Sequence, residues 1–336
     1  MITSGAGVRV AIASGVLILV LGIAWMTMIR MPGSSARGPR PPLDAHGAAL
    51  RDGLVRDVGV LAGEIGERNL LNTEAYRRAA EYVEAQLGDA GYSVHRETYR
   101  IGNAELRNIV AEVKGGTRAS EIVVIGAHYD SVMGTPGAND NGSGAAALLA
   151  LARTFAAAKP ERTLRFVAFA NEEPPYFQTD EMGSEVYARG CRARHESVVA
   201  MLSLETMGYF SDVAGSQKYP FPFNLLYPST GNFIAFVGNV GSHALVRESI
   251  GAFREHATIP SEGAAVPDSI PGIGWSDQWA FWRIGTPALM VTDTAPFRYP
   301  HYHEPTDTPD KVDYERLARV VAGLEPVVAK IARVPN

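Results

Sequence analysis

The chain has 336 residues, of which 20% are charged and 46% apolar, and a formal net charge of -5. Such a composition belongs to globular proteins and excludes a disordered or fibrous one. The acidic balance, without any Lys/Arg run interleaved with aromatics, excludes a nucleic-acid binder. Cys191 is the single cysteine, so neither an intrachain disulfide nor a thiolate zinc cluster can form, and any metal must rest on His, Asp and Glu.

From the N-terminus, Val10 to Ile29 (VAIASGVLILVLGIAWMTMI) carries no charge and is bounded by Arg9 and Arg30. Twenty helical residues rise roughly 30 Å, the thickness of a bilayer core, so residues 1–30 are expected to be a transmembrane anchor. A cleaved signal peptide is the rival reading. Its apolar region is shorter and ends at a small-x-small site, whereas this run ends on Trp25, Met26 and Met28. Arg30, Arg37 and Arg40 against Arg9 lean toward a cytoplasmic body by the positive-inside rule. Residues 31–42 (MPGSSARGPRPP) have the composition of an extended linker, and 43–336 are expected to form the folded domain.

Within that domain, helical patterns span 50–65 and 74–90, followed by strand-like runs at 92–99, 106–113 and 121–126. The pattern then alternates: helix 144–157, strand 163–170, helix 183–189, strand 198–204. Further strands are expected at 233–237 and 287–291, and a final amphipathic helix at 314–331. Alternation of this kind implies an α/β fold with a largely parallel sheet.

In open parallel sheets ligands gather at the carboxyl ends of the strands, and the chain's acid and His clusters fall there. His128 and Asp130 follow EIVVIGA, a spacing that lets a carboxylate orient a metal-bound imidazole from behind. Asp140 sits in the Gly-bounded turn GANDNGSG, where small residues allow close backbone approach. The Asn141-Gly-Ser143 sequon in that turn is discounted because of its place. Glu172 and Glu173 are adjacent, so in an extended segment one can bind metal while the other faces the substrate water. Glu205 ends an apolar run, where an unpaired carboxylate is costly. His303 supplies a second imidazole, with His301 as the alternative ligand, and Tyr302 can donate to an oxyanion. Three carboxylates and a hydroxide nearly offset two Zn²⁺ ions, and Zn²⁺ accepts such an N/O mixture. An aromatic stretch, Tyr219, Phe221, Phe223, Tyr227 and Phe233, is a candidate wall for a substrate pocket. No G-x-S-x-G elbow is present for serine chemistry.

The ordered motifs GAHYDSV, GANDNGSG, FANEE, SLETMGY, SDQWAFW and YHEPTDTPDKV, across roughly residues 108–320, make the chain resemble metallopeptidase family twenty-eight, the co-catalytic zinc exopeptidases. The resemblance implies a single three-layer α/β/α domain with a mixed, largely parallel central sheet. It also implies two Zn²⁺ ions and a peptide substrate with a free terminus. By it, Asp140 bridges the metals, His128 and Glu205 complete one site, Glu173 and His303 the other, Glu172 is the general base, and a cis peptide follows Asp140. Two positions depart from the pattern: Glu205 stands where many relatives have Asp, and Gln278 where His is common. Family members are usually exported, which places the domain outside the cytoplasm, against the charge lean.

The activity expected from this resemblance is that of an aminopeptidase. A carboxypeptidase or a glutaminyl cyclase with one working zinc are enzyme alternatives on the same scaffold. A catalytically silent, receptor-like membrane ectodomain is the non-enzyme alternative.

Overall fold

The computed structural model describes residues 3–335. Helix α1 (Thr3–Ala24) continues through a wide turn, Trp25–Ile29. Gly7–Ile29 is long and apolar enough to cross a membrane, and none of its most apolar window is buried by the rest of the chain.

The domain is built on one eight-stranded sheet, β1 (His95–Ile101), β2 (Ala104–Val113), β3 (Arg118–His128), β4 (Arg162–Phe169), β5 (Ser197–Glu205), β6 (Ile234–Gly238), β7 (Ser261–Ala265) and β8 (Ala288–Thr292), in the order β1-β2-β4-β3-β5-β8-β6-β7. The central strands β4, β3, β5 and β8 run parallel, as the alternation predicts. At the flanks the direction reverses: β2 is antiparallel to β1 and β4, and β6 to β8. The β1–β2 reversal is made at Gly102-Asn103, where Gly102 takes a positive φ of 56°.

Both faces of the sheet are covered, which is why β3 and β5 are apolar on alternate and intervening positions alike. Val123, Ile125, Ala127, Ala200, Leu202 and Leu204 face a core shared with the helices α2 (Ala45–Val58), α3 (Thr73–Asp89), α4 (Gly144–Phe155), α6 (His243–His256) and α8 (Tyr314–Ala332). Ile122, Val124, Val198 and Met201 face the opposite side, under α5 (Gly183–Ala193) and α7 (Gln278–Arg283). The expected helices and strands are all present with small shifts of their ends. Helix α6, strand β7 and helix α7 are additions that the sequence reading did not contain.

Residues 31–42 lie along the domain instead of hanging free. Met31 is buried and approaches Gly263 so closely that a Cβ there would meet its Cγ at 2.8 Å. Arg254 donates to Pro32 O (3.1 Å), Ser261 N–H to Ser35 Oγ (2.8 Å) and Arg319 to Pro41 O (2.5 Å). The segment thus covers the open edge of β7, which otherwise presents unpaired backbone. A chain beginning at Leu43 is therefore expected to melt on the order of 5 °C below one beginning at Met31, from the loss of one buried side chain and several hydrogen bonds. Equal melting temperatures would make 31–42 a free tether.

Candidate active site

The carboxyl edge of the central strands brings the acid and His residues into one cluster. His128 is the last residue of β3 and Glu205 the last of β5. Glu172 and Glu173 follow β4, Asp140 lies in the kinked turn 138–143 before α4, and His303 lies in the loop after β8. Gly144 starts α4 because nothing larger fits: a Cβ there would stand 2.3 Å from both Leu204 O and Asn141 Oδ1.

Asp140 occupies the middle. Its Oδ1 is 3.5 Å from His128 Nε2 and its Oδ2 is 3.1 Å from His303 Nε2. His128 Nε2 is also 3.2 Å from Glu205 and 3.8 Å from Glu172, while His303 Nε2 is 3.4 Å from Glu173. Among the described residues three groups could hold a metal ion, His128–Asp140–Glu205, Asp140–Glu173–His303 and His128–Glu172–Glu173, and the first two share Asp140. The peptide bond from Asp140 to Asn141 is cis. His301 is turned away and pairs with Thr306 at 2.7 Å, so His303 is the imidazole that joins the cluster.

The electrostatics describe a cation site. Burial opposes protonation of both imidazoles, yet the carboxylates win: Glu205 and Glu172 push His128 well up, and Asp140 with Glu173 pushes His303 up to about 10. Burial and the neighbouring Asp140 charge push Glu173 up to about 8, and burial above all raises Glu172 and Glu205. Both ring nitrogens of His128, Nε2 of His303 and Oε1 of Glu173 are buried without a hydrogen-bond partner. Buried polar atoms left in that condition are costly; a divalent cation in each of the two groups that share Asp140 would satisfy His128 Nε2, His303 Nε2 and Glu173, while His128 Nδ1 faces Asp130. The donor set, imidazole and carboxylate, suits Zn²⁺.

Asp130 stands 3.4 Å from His128 Nδ1, but from a turn, since β3 ends at His128 and the two do not share a strand face. Its two oxygens accept the backbone N–H groups of Glu172 and Glu173, each at 3.1 Å, which ties the ends of β3 and β4 together. Tyr302 stacks on His303 with ring centroids 3.9 Å apart.

Several supporting residues escaped the sequence reading. Ser276 donates to Glu205 Oε2 at 2.7 Å. It takes up the motif whose usual His is Gln278 here, and Gln278 itself donates to Ile273 O. Asp307 accepts from the backbone of Asn139 (2.8 Å) and Asp140 (3.0 Å) and from Tyr299 (2.6 Å). Asp293, which burial pushes up to about 7, accepts from Asn139 (2.9 Å) and Tyr209 N–H (2.7 Å). The one available signal was the position of Asp293 just after the apolar run of β8. Asn141, of the discounted sequon, is buried and donates to Leu204 O, so its amide is not accessible to a sugar.

An apolar cavity opens beside Glu205 and Tyr302, walled by Tyr219, Phe223, Tyr227 and Phe233. Phe221, expected in that wall, is 82% exposed and lies outside it.

Residues 108–328 match the sequence model of peptidase family M28. The chain is 38% identical over 280 residues to the uncharacterized protein YfbL of Escherichia coli K12, covering 81% of this chain and 85% of that one. It belongs to peptidase family M28. BSAP, a zinc aminopeptidase from Bacillus subtilis, shares the M28 chain's fold with a TM-score of 0.68 at 15% identity, over 84% of this chain and 95% of the other. The glutaminyl cyclase of Fimbriiglobus ruber superposes with a TM-score of 0.59 at 21% identity, over 87% and 98%.

An ion held by Asp140 in the folded domain would add its binding free energy to the stability of the fold. Zn²⁺ at a large excess over its Kd is expected to stabilise the wild type by about 4 kcal/mol through linkage, and Asp140→Asn to lose most of that gain. Thermal melts with and without the ion check this, and identical melts for the wild type would contradict a cation site.

Proposed function

We propose that the chain is a zinc-dependent aminopeptidase working with two ions. One ion is held by His128, Asp140 and Glu205, the other by Asp140, Glu173 and His303. The observation that carries this reading is the single carboxylate of Asp140 facing an imidazole with each oxygen. Bound zinc supplies Lewis acidity to a carbonyl and to water.

The remaining chemistry belongs to side chains. Glu172, buried and held up the pKa scale by that burial, would take the proton of the attacking water and return it to the departing amine. Asp130 holds the His128 ring in orientation through Nδ1. Tyr302 keeps its phenol protonated, because burial and the surrounding carboxylates raise its pKa, and so can donate to the oxygen that gains charge.

Aminopeptidase activity is supported by family membership and by the completeness of both ligand groups. The glutaminyl cyclase reading shares the scaffold, and release of ammonia from N-terminal Gln peptides, without release of an amino acid, would favour it. For localisation we infer a single-pass anchor through Gly7–Ile29 and an extracytoplasmic catalytic domain, supported by the helix's length and exposure and by the export usual in the family.

Glu172→Gln is expected to leave bound zinc unchanged, by elemental analysis, and to lower turnover of aminoacyl amides by at least about 100-fold. Unchanged turnover would remove Glu172 from the role of base.

A further inference from the structure

The apolar cavity holds a charge that the reaction does not use. Among its described lining residues there is no Lys or Arg, and the carboxylates are only Glu205, at the metal-ligand cluster, and Glu262 of β7. Strand alternation places Glu262 there, on the same face as Ala264 and Val266, which pack with Phe233, Ala235 and Val237 into an otherwise hydrophobic surface.

The sheet register connects the two acids. Glu205 lies opposite Thr292, Thr292 opposite Ala235, and Ala235 opposite Glu262. Directly opposed residues share a face, so these four form one row across β5, β8, β6 and β7. A carboxylate stands at each end and two small side chains lie between. Three strand spacings make the row roughly 14 Å long.

Glu262 is partly buried, its side chain a quarter exposed. Its ionic partner Arg254 is 3.9 Å away. That guanidinium is already committed to Ser261 O, Ser261 Oγ and Pro32 O. Arg37 acts on Glu262 only through its field. Arg254 leaves the face of Glu262 toward the cavity open to a second cation, which the rings of Tyr219, Phe223 and Tyr227 favour.

We propose that Glu262 is a specificity-determining residue that selects substrates whose N-terminal residue is lysine or arginine. The proposal rests on the aminopeptidase reading. With the terminal residue's backbone at the metal cluster, its side chain runs along the Thr292–Ala235 floor toward Glu262. A leucine side chain stops short of the far end. Lysine and arginine lay their apolar stems along the floor and bring their charge to the waiting carboxylate.

The test compares lysyl with norleucyl coumarin amides, whose side chains share a stem and differ in the ammonium, using the full zinc-loaded chain in detergent. Binding of L-lysinamide and L-norleucinamide by calorimetry is measured in parallel. The lysyl substrate is expected to lead by about tenfold in kcat/KM, and its amide by a similar factor in Kd. Glu262→Gln is expected to erase both preferences while norleucyl turnover stays within about twofold, which also shows that the variant is folded. Equal or better handling of norleucine in both measurements, unchanged in Glu262→Gln, overturns the proposal and leaves the aminopeptidase intact. Selective, Glu262-dependent binding without hydrolysis of either substrate supports the pocket and sinks the aminopeptidase reading.

Discussion

One carboxylate set between two imidazoles organises this molecule. Asp140 sits in a turn tied to its surroundings by many hydrogen bonds. Asp307 takes the backbone N–H groups of Asn139 and Asp140, and the Asn139 side chain bridges Asp293 and Gly208 N–H. Asn141 joins Leu204 O to the N–H groups of Gly144 and Thr206. The turn is thereby fastened to the ends of β5 and β8 and to the His303 loop. These contacts hold the acid in place before any ion arrives, which is what a preorganised metal site requires. Gathering Asp140, Glu172, Glu173 and Glu205 in a buried space is costly, and cations at Asp140, Glu173 and Glu205 would offset much of that cost.

The residues that carry chemistry were legible because of where the strands end. His128, Glu172, Glu173 and Glu205 each follow an apolar run that could only be a buried strand, and the topology of parallel sheets sends such ends to one edge. Ser276 was not legible, since its meaning lies in Glu205, 71 residues away. Asp307 likewise acts on a turn more than 160 positions earlier. Nothing in local spacing encodes partners of that kind. Phe221 shares its aromatic character with Phe223, and only the turn around it decides which ring faces inward.

The fold was less legible at its margins than at its centre. Strand β7, Ser-Glu-Gly-Ala-Ala, has no β-branched residue, and it is a strand because β6 offers it a pairing edge and residues 31–42 cover its other side. Helix α6 carries an interior Gly251, which weakens a helical pattern; Pro32 packs there, 3.2 Å from where a Cβ would stand. The segment after the anchor has linker composition, yet it is part of the domain's packing. The apolar helix and the catalytic domain are therefore joined by a docked strap, which also backs the strand that carries Glu262.

The paired-ion centre is tested most directly by X-ray absorption at the zinc edge on the zinc-loaded protein. The account predicts first-shell nitrogen and oxygen at about 2.0 to 2.2 Å and a second zinc scattering at about 3.5 to 4 Å. A shell without metal–metal scattering at full zinc loading would contradict the bridging role given to Asp140.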